Sequence, residues 1–124
     1  MNSAIATAKK TSDKFLQAFR NPKPSYHDFF LKKPYPAQGS KQEHMWIGDL
    51  LEAGDHLEGT IANEAYETKD KFGQAVNVKL DEISDWKYLD GNRLIGGYTI
   101  RYFYDRMSQE EKKSFLHEAG FAIE

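Results

Sequence analysis

Glycine-containing turns in the middle of this 124-residue chain constrain its fold more than any other feature. They lie at Gly39, Gly54, Asp90-Gly91 and Gly96-Gly97. An Asp-Gly pair between two apolar segments is a strong signal of a β-hairpin turn. The segments between the turns are short, and Val76, Val78 and Leu80 alternate with polar residues as a half-buried strand does. The middle of the chain therefore predicts strands that pair with their neighbours in sequence.

Six strands are expected from this pattern. They cover Tyr26–Tyr35, Glu43–Glu52, Leu57–Ile61, Val76–Leu80, Ser84–Leu89 and Asn92–Ile95. Pro34 and Pro36 indicate that the first strand ends at a sheet edge or in a bend, because proline has no N–H for a ladder. The polar stretch from Asn63 to Gly73 is predicted to be a loop.

Helical patterns flank these strands. Apolar residues at spacings of three and four, among them Phe15 and Phe19, predict one helix from Asn2 to Arg20. The prolines of the segment Asn21-Pro22-Lys23-Pro24 end it. Tyr98–Arg106 has both strand propensity and helical spacing, and we expect a short helix there. Ser108 and Glu111 form the capping box of a last helix, and Gly120 supplies its C-terminal stop.

The order of these elements predicts an α+β fold in a single domain, residues 1–124. An N-terminal helix (2–20) precedes a β-rich core (26–95), and a helical segment (98–118) follows. The core is expected to be a curled antiparallel sheet or small open barrel of about five to six strands, with the C-terminal helices packed on one side.

Composition excludes several classes of function. A net charge of −2 argues against a general nucleic-acid binder, which needs a basic face. The absence of cysteine excludes disulfides and thiolate chemistry. The sequence contains neither an apolar run of membrane-spanning length nor the residue order of a secretory signal. We therefore expect a cytoplasmic monomer or weak dimer with no nucleic-acid or membrane partner.

Metal and phosphate sites find little support in the sequence. No two of the four histidines, His27, His44, His56 and His117, have metal-ligand spacing, so no metal or other cofactor is predicted. The Gly96-Gly97 pair before Tyr98-Thr99 has two interpretations. It either precedes a helix N-terminus that holds an anion, or forms a turn with positive φ.

Asp85 is a candidate site residue because of its position in a strand. Alternation places Asp85 with Ile83 and Lys87, and Trp86 on the opposite face. A buried aspartate on an apolar face needs a hydrogen-bond donor, and Arg101 has the planar fork that suits a carboxylate. We expect an Asp85–Arg101 pair, either as a structural clamp or as a polar group in a ligand groove.

Two further groups are candidates. His44 and Trp46 are expected to share one strand face with Glu43 opposite, either as a histidine beside a core tryptophan or as the lining of a cleft. Four aromatic residues, Tyr98, Tyr102, Phe103 and Tyr104, fall within seven positions. Any regular structure leaves at least one of them outward, and an exposed cluster would form a protein-binding patch.

Four ordered motifs resemble those of the bacterial YegJ-like family, DUF2314, whose activity is unassigned. They are Glu43-His44-Met45-Trp46-Ile47, Gly59 to Asn63-Glu64, Ile83-Ser84-Asp85-Trp86 and Gly96-Gly97-Tyr98-Thr99-Ile100-Arg101. The resemblance spans Phe15 to Met107 and implies a small bacterial α+β domain. It marks seven motif positions: Glu43, His44, Trp46, Asp85, Trp86, Thr99 and Arg101. With Gly97 they make up the candidate binding or structural site. The resemblance carries over no catalytic residue.

Three functional hypotheses follow. The first is a non-enzymatic protein-interaction module, of which immunity to a toxin is one version. The second is a small-ligand-binding or hydrolytic domain in which Glu43, His44, Asp85 and Arg101 converge, with His44 as acid–base. The third is that the motif residues are purely a folding framework.

Overall fold

The computed structural model describes residues 2–37, 39, 41–63 and 72–124. It contains α1 (Asn2–Lys10), α2 (Ser12–Arg20), β1 (Tyr26–Pro36), β2 (Gln42–Ala53), β3 (His56–Ile61), β4 (Ala75–Val78), a 3-10 turn (Leu80–Glu82), β5 (Asp85–Asp90), β6 (Arg93–Gly96), α3 (Tyr98–Asp105) and α4 (Gln109–Ala119). The predicted α+β class is confirmed. Most of the loop expected between Asn63 and Gly73 lies outside the described residues.

The six strands form one antiparallel sheet in the order β4-β3-β2-β1-β5-β6, with β4 and β6 at its two edges. The sheet is not closed, in agreement with the expected antiparallel sheet of about five to six strands. In the centre, Leu31 of β1 pairs with Ile47 of β2 and with Trp86 of β5. Because directly opposed residues share a face, these three define one side of the sheet, here called the helix face. Lys32, Trp46 and Asp85 pair in the same way and lie on the other side, here called the Trp46 face.

The hydrophobic core lies between the helix face and the two N-terminal helices. Ala8 of α1 and Phe15 of α2 are fully buried, and Trp86 beneath them is 1% exposed. The Phe15 and Trp86 ring centroids are 5.9 Å apart. The indole N–H of Trp86 donates to the Ala8 carbonyl oxygen at 3.1 Å, so the largest core side chain has no unsatisfied donor.

The prediction of one continuous N-terminal helix is wrong, because Thr11 separates α1 from α2. Its backbone leaves helical geometry at φ −105° and ψ 10°. The Thr11 hydroxyl donates to the Thr7 carbonyl at 2.7 Å and accepts a second bond, 3.1 Å long, from the Trp86 indole. The break thus provides a polar partner for a buried tryptophan on another element.

Pro34 and Pro36 of β1 lie at positions where no hydrogen bond between strands requires a backbone N–H. Asp85, the first residue of β5, pairs with Lys32, so residues 33–36 extend beyond the end of β5. Pro34 still lies opposite His44 of β2. The expected edge is therefore local, at one end of an otherwise central strand. The strand predicted at Val76–Leu80 ends earlier, at Val78, because Leu80 begins the 3-10 turn.

The C-terminal segment follows the sequence prediction closely. Tyr98–Asp105 is helical, and the capping box at Ser108 is present, with its hydroxyl accepting from the Glu111 N–H at 3.2 Å. Beyond α4, the Ala122 carbonyl accepts from the Leu94 N–H at 2.9 Å and covers part of the β6 edge. Within the described part of the chain, no helix is long and apolar enough to cross a membrane.

Two left-handed glycines connect β6 to α3. Gly96 has φ 75° and Gly97 has φ 66°. A Cβ at Gly96 would lie 2.5 Å from both the carbonyl oxygen and the ring atom Cε3 of Trp86. The positive-φ turn is therefore observed, and at Gly96 it is combined with close packing on the main core residue.

Substitution of Gly96 tests this packing. We expect Gly96→Ala to lower the free energy of unfolding by about 3 kcal/mol or more, because it adds a steric clash to the cost of a left-handed alanine. Gly91→Ala is the matched control, since Gly91 has φ 62° but no atom within 4 Å of its added Cβ. Its cost should be about 1–2 kcal/mol. Equal losses for the two variants in urea unfolding would contradict the account.

Candidate functional site

The Asp85 carboxylate is fully buried, and four hydrogen bonds satisfy it. Oδ1 accepts from the backbone N–H groups of Trp86 at 2.8 Å and Tyr98 at 3.0 Å. Oδ2 accepts from the Thr99 N–H at 2.9 Å and from the Thr99 hydroxyl. Three of these donors belong to Tyr98 and Thr99, the first two residues of α3. The carboxylate of a strand residue therefore caps the N-terminus of this helix.

This arrangement explains the Gly97 position. Gly97 is the N-cap residue of α3 and has no side chain with which to cap it. Asp85 supplies the acceptor from β5 instead, and its negative charge lies at the positive end of the helix dipole. The anion expected as one alternative at this helix N-terminus is therefore a side chain of the protein itself.

The predicted Asp85–Arg101 pair is wrong. The Arg101 guanidinium donates instead to three carbonyl oxygens, those of Gly96 at 2.8 Å, Leu94 at 2.7 Å and Glu124 at 2.8 Å. The first turn of α3 points its amides at Asp85, whereas Arg101 lies further along the helix and reaches back over the end of β6. Arg101 thus fastens α3 and the C-terminal segment to an edge strand.

Lys32 extends the Asp85 network onto the Trp46 face. Its Nζ donates to the Thr99 hydroxyl at 3.0 Å. Burial lowers the pKa of Lys32, and the nearby charge of Asp85 partly opposes this effect. The lysine therefore joins β1 to the capped end of α3.

Two ammonium groups lie close to the ring of Trp46. Lys87 Nζ is 4.3 Å from the centroid of the Trp46 ring, and Lys32 Nζ is 5.2 Å from it. Such cation–π contacts contribute about 0.5–2 kcal/mol, with more when water is excluded. Among the described residues, Lys87 makes no ion pair within 4.0 Å. Burial lowers the pKa of Lys87, while the charge of Asp85 opposes this.

His44 shares this face with Trp46, as predicted, and is tied to the start of β5. Its Nδ1 lies 2.9 Å from the Ser84 Oγ, and Ser84 is 2% exposed. Burial, and then the charge of Lys32, lower the pKa of His44, so the imidazole is neutral at pH 7. Since both His44 and Trp46 are half-buried, they line the surface of the Trp46 face rather than the core.

The proposed convergence of Glu43, His44, Asp85 and Arg101 is not observed. His44 contacts Ser84, the residue before Asp85, but Glu43 pairs opposite Tyr35 on the helix face. Arg101 is engaged at the end of β6. No group of three metal-ligating side chains that could hold an ion occurs in the described ranges.

The aromatic cluster along α3 exposes one residue strongly. Phe103 is 53% exposed, whereas Tyr98, Tyr102 and Tyr104 are half-buried. The Arg106 guanidinium lies 3.5 Å from the Tyr102 ring centroid. The outward aromatic residue predicted for this segment is therefore Phe103, beside a tyrosine covered by an arginine.

Sequence reasoning missed the two lysines that lie beside the Trp46 ring. Lys32 and Lys87 belong to separate strands, and only the register of β1 with β2 and β5 places them beside one ring. Their strand faces could be read from alternation, but the strand order could not.

Asp85→Asn tests whether the carboxylate holds α3. The amide keeps one acceptor oxygen and presents an NH₂ group to N–H donors, which leaves buried groups unsatisfied. We expect the free energy of unfolding in urea to fall by about 3 kcal/mol or more. Asp105→Asn, an exposed change on the same helix, should alter it by less than about 0.5 kcal/mol. A loss for Asp85→Asn as small as that of the control would refute the role of the cap.

Comparison with known proteins identifies relatives over most of the chain. The family model described as "Uncharacterized protein conserved in bacteria (DUF2314)" matches residues 1–123. "Uncharacterized protein YegJ" of Escherichia coli K12 is 35% identical over 101 residues, 81% of this chain and 64% of that protein. A "Putative ankyrin repeat protein" of Neisseria meningitidis is 36% identical over 83 residues, 66% of this chain. No solved structure matches.

The chain thus spans less than two thirds of YegJ and 32% of the Neisseria protein. Since the family model covers nearly the whole chain, the protein belongs to the uncharacterised bacterial family DUF2314.

Proposed function

We propose that this protein is a non-enzymatic protein-interaction module that binds an acidic segment of a partner through the Trp46 face. The observation that carries this proposal is the cation–π contact of the Trp46 ring with the ammonium groups of both Lys32 and Lys87. Two cations share one aromatic ring, and Lys87 has no ion-pair partner among the described residues.

The charge balance of this face favours an anionic partner. The charge of Asp28 acts on Lys87, whereas that of Asp85 acts on both lysines, and the oxygens of Asp85 are already used by α3. Asp85 is also fully buried and presents no charge at the surface. A carboxylate of the partner near the Trp46 ring would therefore contact two half-buried ammonium groups. Part of the free-energy cost of desolvating these groups is already included in folding, so binding adds less of it.

The residue types on this face also support protein recognition. Tryptophan is enriched among the residues that dominate binding energy, and such residues lie in patches from which water is excluded. Phe30 extends the apolar surface beside Trp46, since Lys87 Nζ also lies 5.2 Å from its ring centroid. A cation beside two rings offers both contact area and charge.

The module character is supported by a relative. The Neisseria protein carries the matching region within a longer chain and is named for ankyrin repeats. A region that occurs in chains of different length behaves as an independent unit, as interaction modules do. Neutralisation of a toxin is one role that binding of this kind would serve.

The hydrolytic alternative has less support. Ser84, the hydroxyl next to His44, is 2% exposed, and Arg101 is fully engaged with carbonyl groups. The Ser84 hydroxyl is thus shielded from a substrate, and the Arg101 guanidinium is not available to bind one. Among the residues that the sequence analysis selected, the geometry therefore favours binding over hydrolysis.

Affinity capture with matched variants tests the proposal. Wild type, Lys87→Gln, Trp46→Leu and Lys113→Gln would be used as bait in the native cell, after thermal unfolding shows that each is folded. Lys113 is an exposed control on α4. We expect one partner to be captured by wild type and by Lys113→Gln, and its affinity to fall about tenfold or more for the other two variants.

The purified complex then provides the decisive measurements. Its dissociation constant should increase with salt, because charge complementarity is screened, and crosslinks should reach an acidic segment of the partner. The proposal is overturned if no protein is captured by wild type, if the Lys87 and Trp46 variants bind as well as the control, or if the contacting segment is not acidic.

A further inference from the structure

A small cavity lies beside Lys87, between the sheet and the residues at the end of α4. Its volume is about 170 Å³, and its lining consists of Asp28, Phe30, Lys87, Leu89, Ala119 and Phe121. We call it the Lys87 pocket. For comparison, an apolar protein cavity of about 150 Å³ accepts benzene. The pocket therefore has room for a branched aliphatic or small aromatic group.

The pocket contains one group of each charge. Lys87 Nζ lies 5.2 Å from the Phe30 ring centroid and 6.0 Å from that of Phe121. The Asp28 carboxylate is close enough for its charge to stabilise the ammonium of Lys87, but the two form no ion pair within 4.0 Å. Asp28 approaches His27 instead, with Oδ2 3.2 Å from its Nδ1. The cation and the anion thus face the same space without neutralising each other directly.

The backbone at Asp28 is unusual for a residue other than glycine. Its φ is 56°, and the register of β1 with β5 shifts between His27 and Phe30. Such a bulge redirects a side chain out of the regular alternation, and bulges of this kind are common beside binding sites. Aspartate tolerates left-handed geometry better than most residues, which allows a carboxylate to be presented at this position.

We propose that the Lys87 pocket binds a small apolar α-amino acid. The ligand's carboxylate would contact Lys87, its ammonium would contact Asp28, and its side chain would pack among Phe30, Leu89 and Phe121. This ligand class uses both charges and the apolar lining together. A ligand with only a carboxylate would leave the Asp28 carboxylate without a partner. A ligand with only an amine would leave the Lys87 ammonium without one.

The proposal goes beyond the binding of a protein partner, because it concerns a small molecule and a separate cavity that shares only Lys87 and Phe30 with the surface around Trp46. Occupation of the pocket would place a carboxylate on Lys87. The two binding events would then compete for this one ammonium, so the amino acid would weaken binding of an acidic partner.

Isothermal titration with defined probes tests the inference. The probes are L-leucine, 4-methylpentanoate, which lacks the ammonium, and 3-methylbutylamine, which lacks the carboxylate. We expect saturable binding of L-leucine and at least about tenfold weaker binding of the two single-charge analogues, because each loses a charged hydrogen bond. Asp28→Asn and Lys87→Gln should each weaken leucine binding by a similar factor, whereas Asp81→Asn, an exposed control, should not.

Several results would overturn the inference. They are the absence of saturable binding for leucine, valine and phenylalanine, equal affinity for leucine and 4-methylpentanoate, and unchanged affinity in Asp28→Asn. Because the cations at the Trp46 ring are those of Lys32 and Lys87, both of which Asp28→Asn leaves in place, this variant should retain capture of a protein partner. Loss of leucine binding in that variant with intact capture therefore supports the pocket separately from the protein partner. Leucine binding by a wild type that captures no protein would overturn the proposed function alone.

Discussion

The buried carboxylate of Asp85 is the interaction on which the rest of this structure depends. A charge of this kind without donors would cost several kcal/mol, and here three backbone amides and a hydroxyl satisfy it. Helix α3 has only eight residues, too few to be stable alone, and its N-cap is a glycine. The strand residue therefore decides where the helix begins. Through Thr99 and Lys32 the same network reaches the central strand β1.

Neighbouring residues of β5 organise the two sides of the sheet. Asp85 points to the Trp46 face and fixes α3, whereas Trp86 points to the helix face and fixes the break between α1 and α2 through Thr11. Gly96 permits the chain to pass over the Trp86 ring on its way to α3. These contacts explain three of the motif residues, Asp85, Trp86 and Gly96, as framework. Lys32 links this framework to the surface around Trp46 on which we base the function. It donates a hydrogen bond to Thr99 and also lies beside the Trp46 ring.

Local signals predicted local structure. The Asp90-Gly91 hairpin and the capping box at Ser108 depend on residues a few positions apart, so the sequence alone indicated them. The interruption of the first helix was missed, because the partner of Thr11 is an indole 75 positions away. The partner of Asp85 was misjudged for the same reason: the Gly96-Gly97 turn aims backbone amides, rather than Arg101, at the carboxylate. The pairing of Lys32 and Lys87 around Trp46 required the strand order, which periodicity does not contain.

Native-state hydrogen exchange of the backbone amides of Tyr98 and Thr99 tests the central claim most directly. Both amides donate to Asp85 at the first turn of a helix, where amides ordinarily fray and exchange quickly. If the carboxylate holds the fold together, they will exchange only through global unfolding, with an opening free energy equal to that obtained from urea unfolding. Exchange through a local opening of much lower free energy, while the Leu31 amide in the centre of the sheet stays protected, would contradict the account.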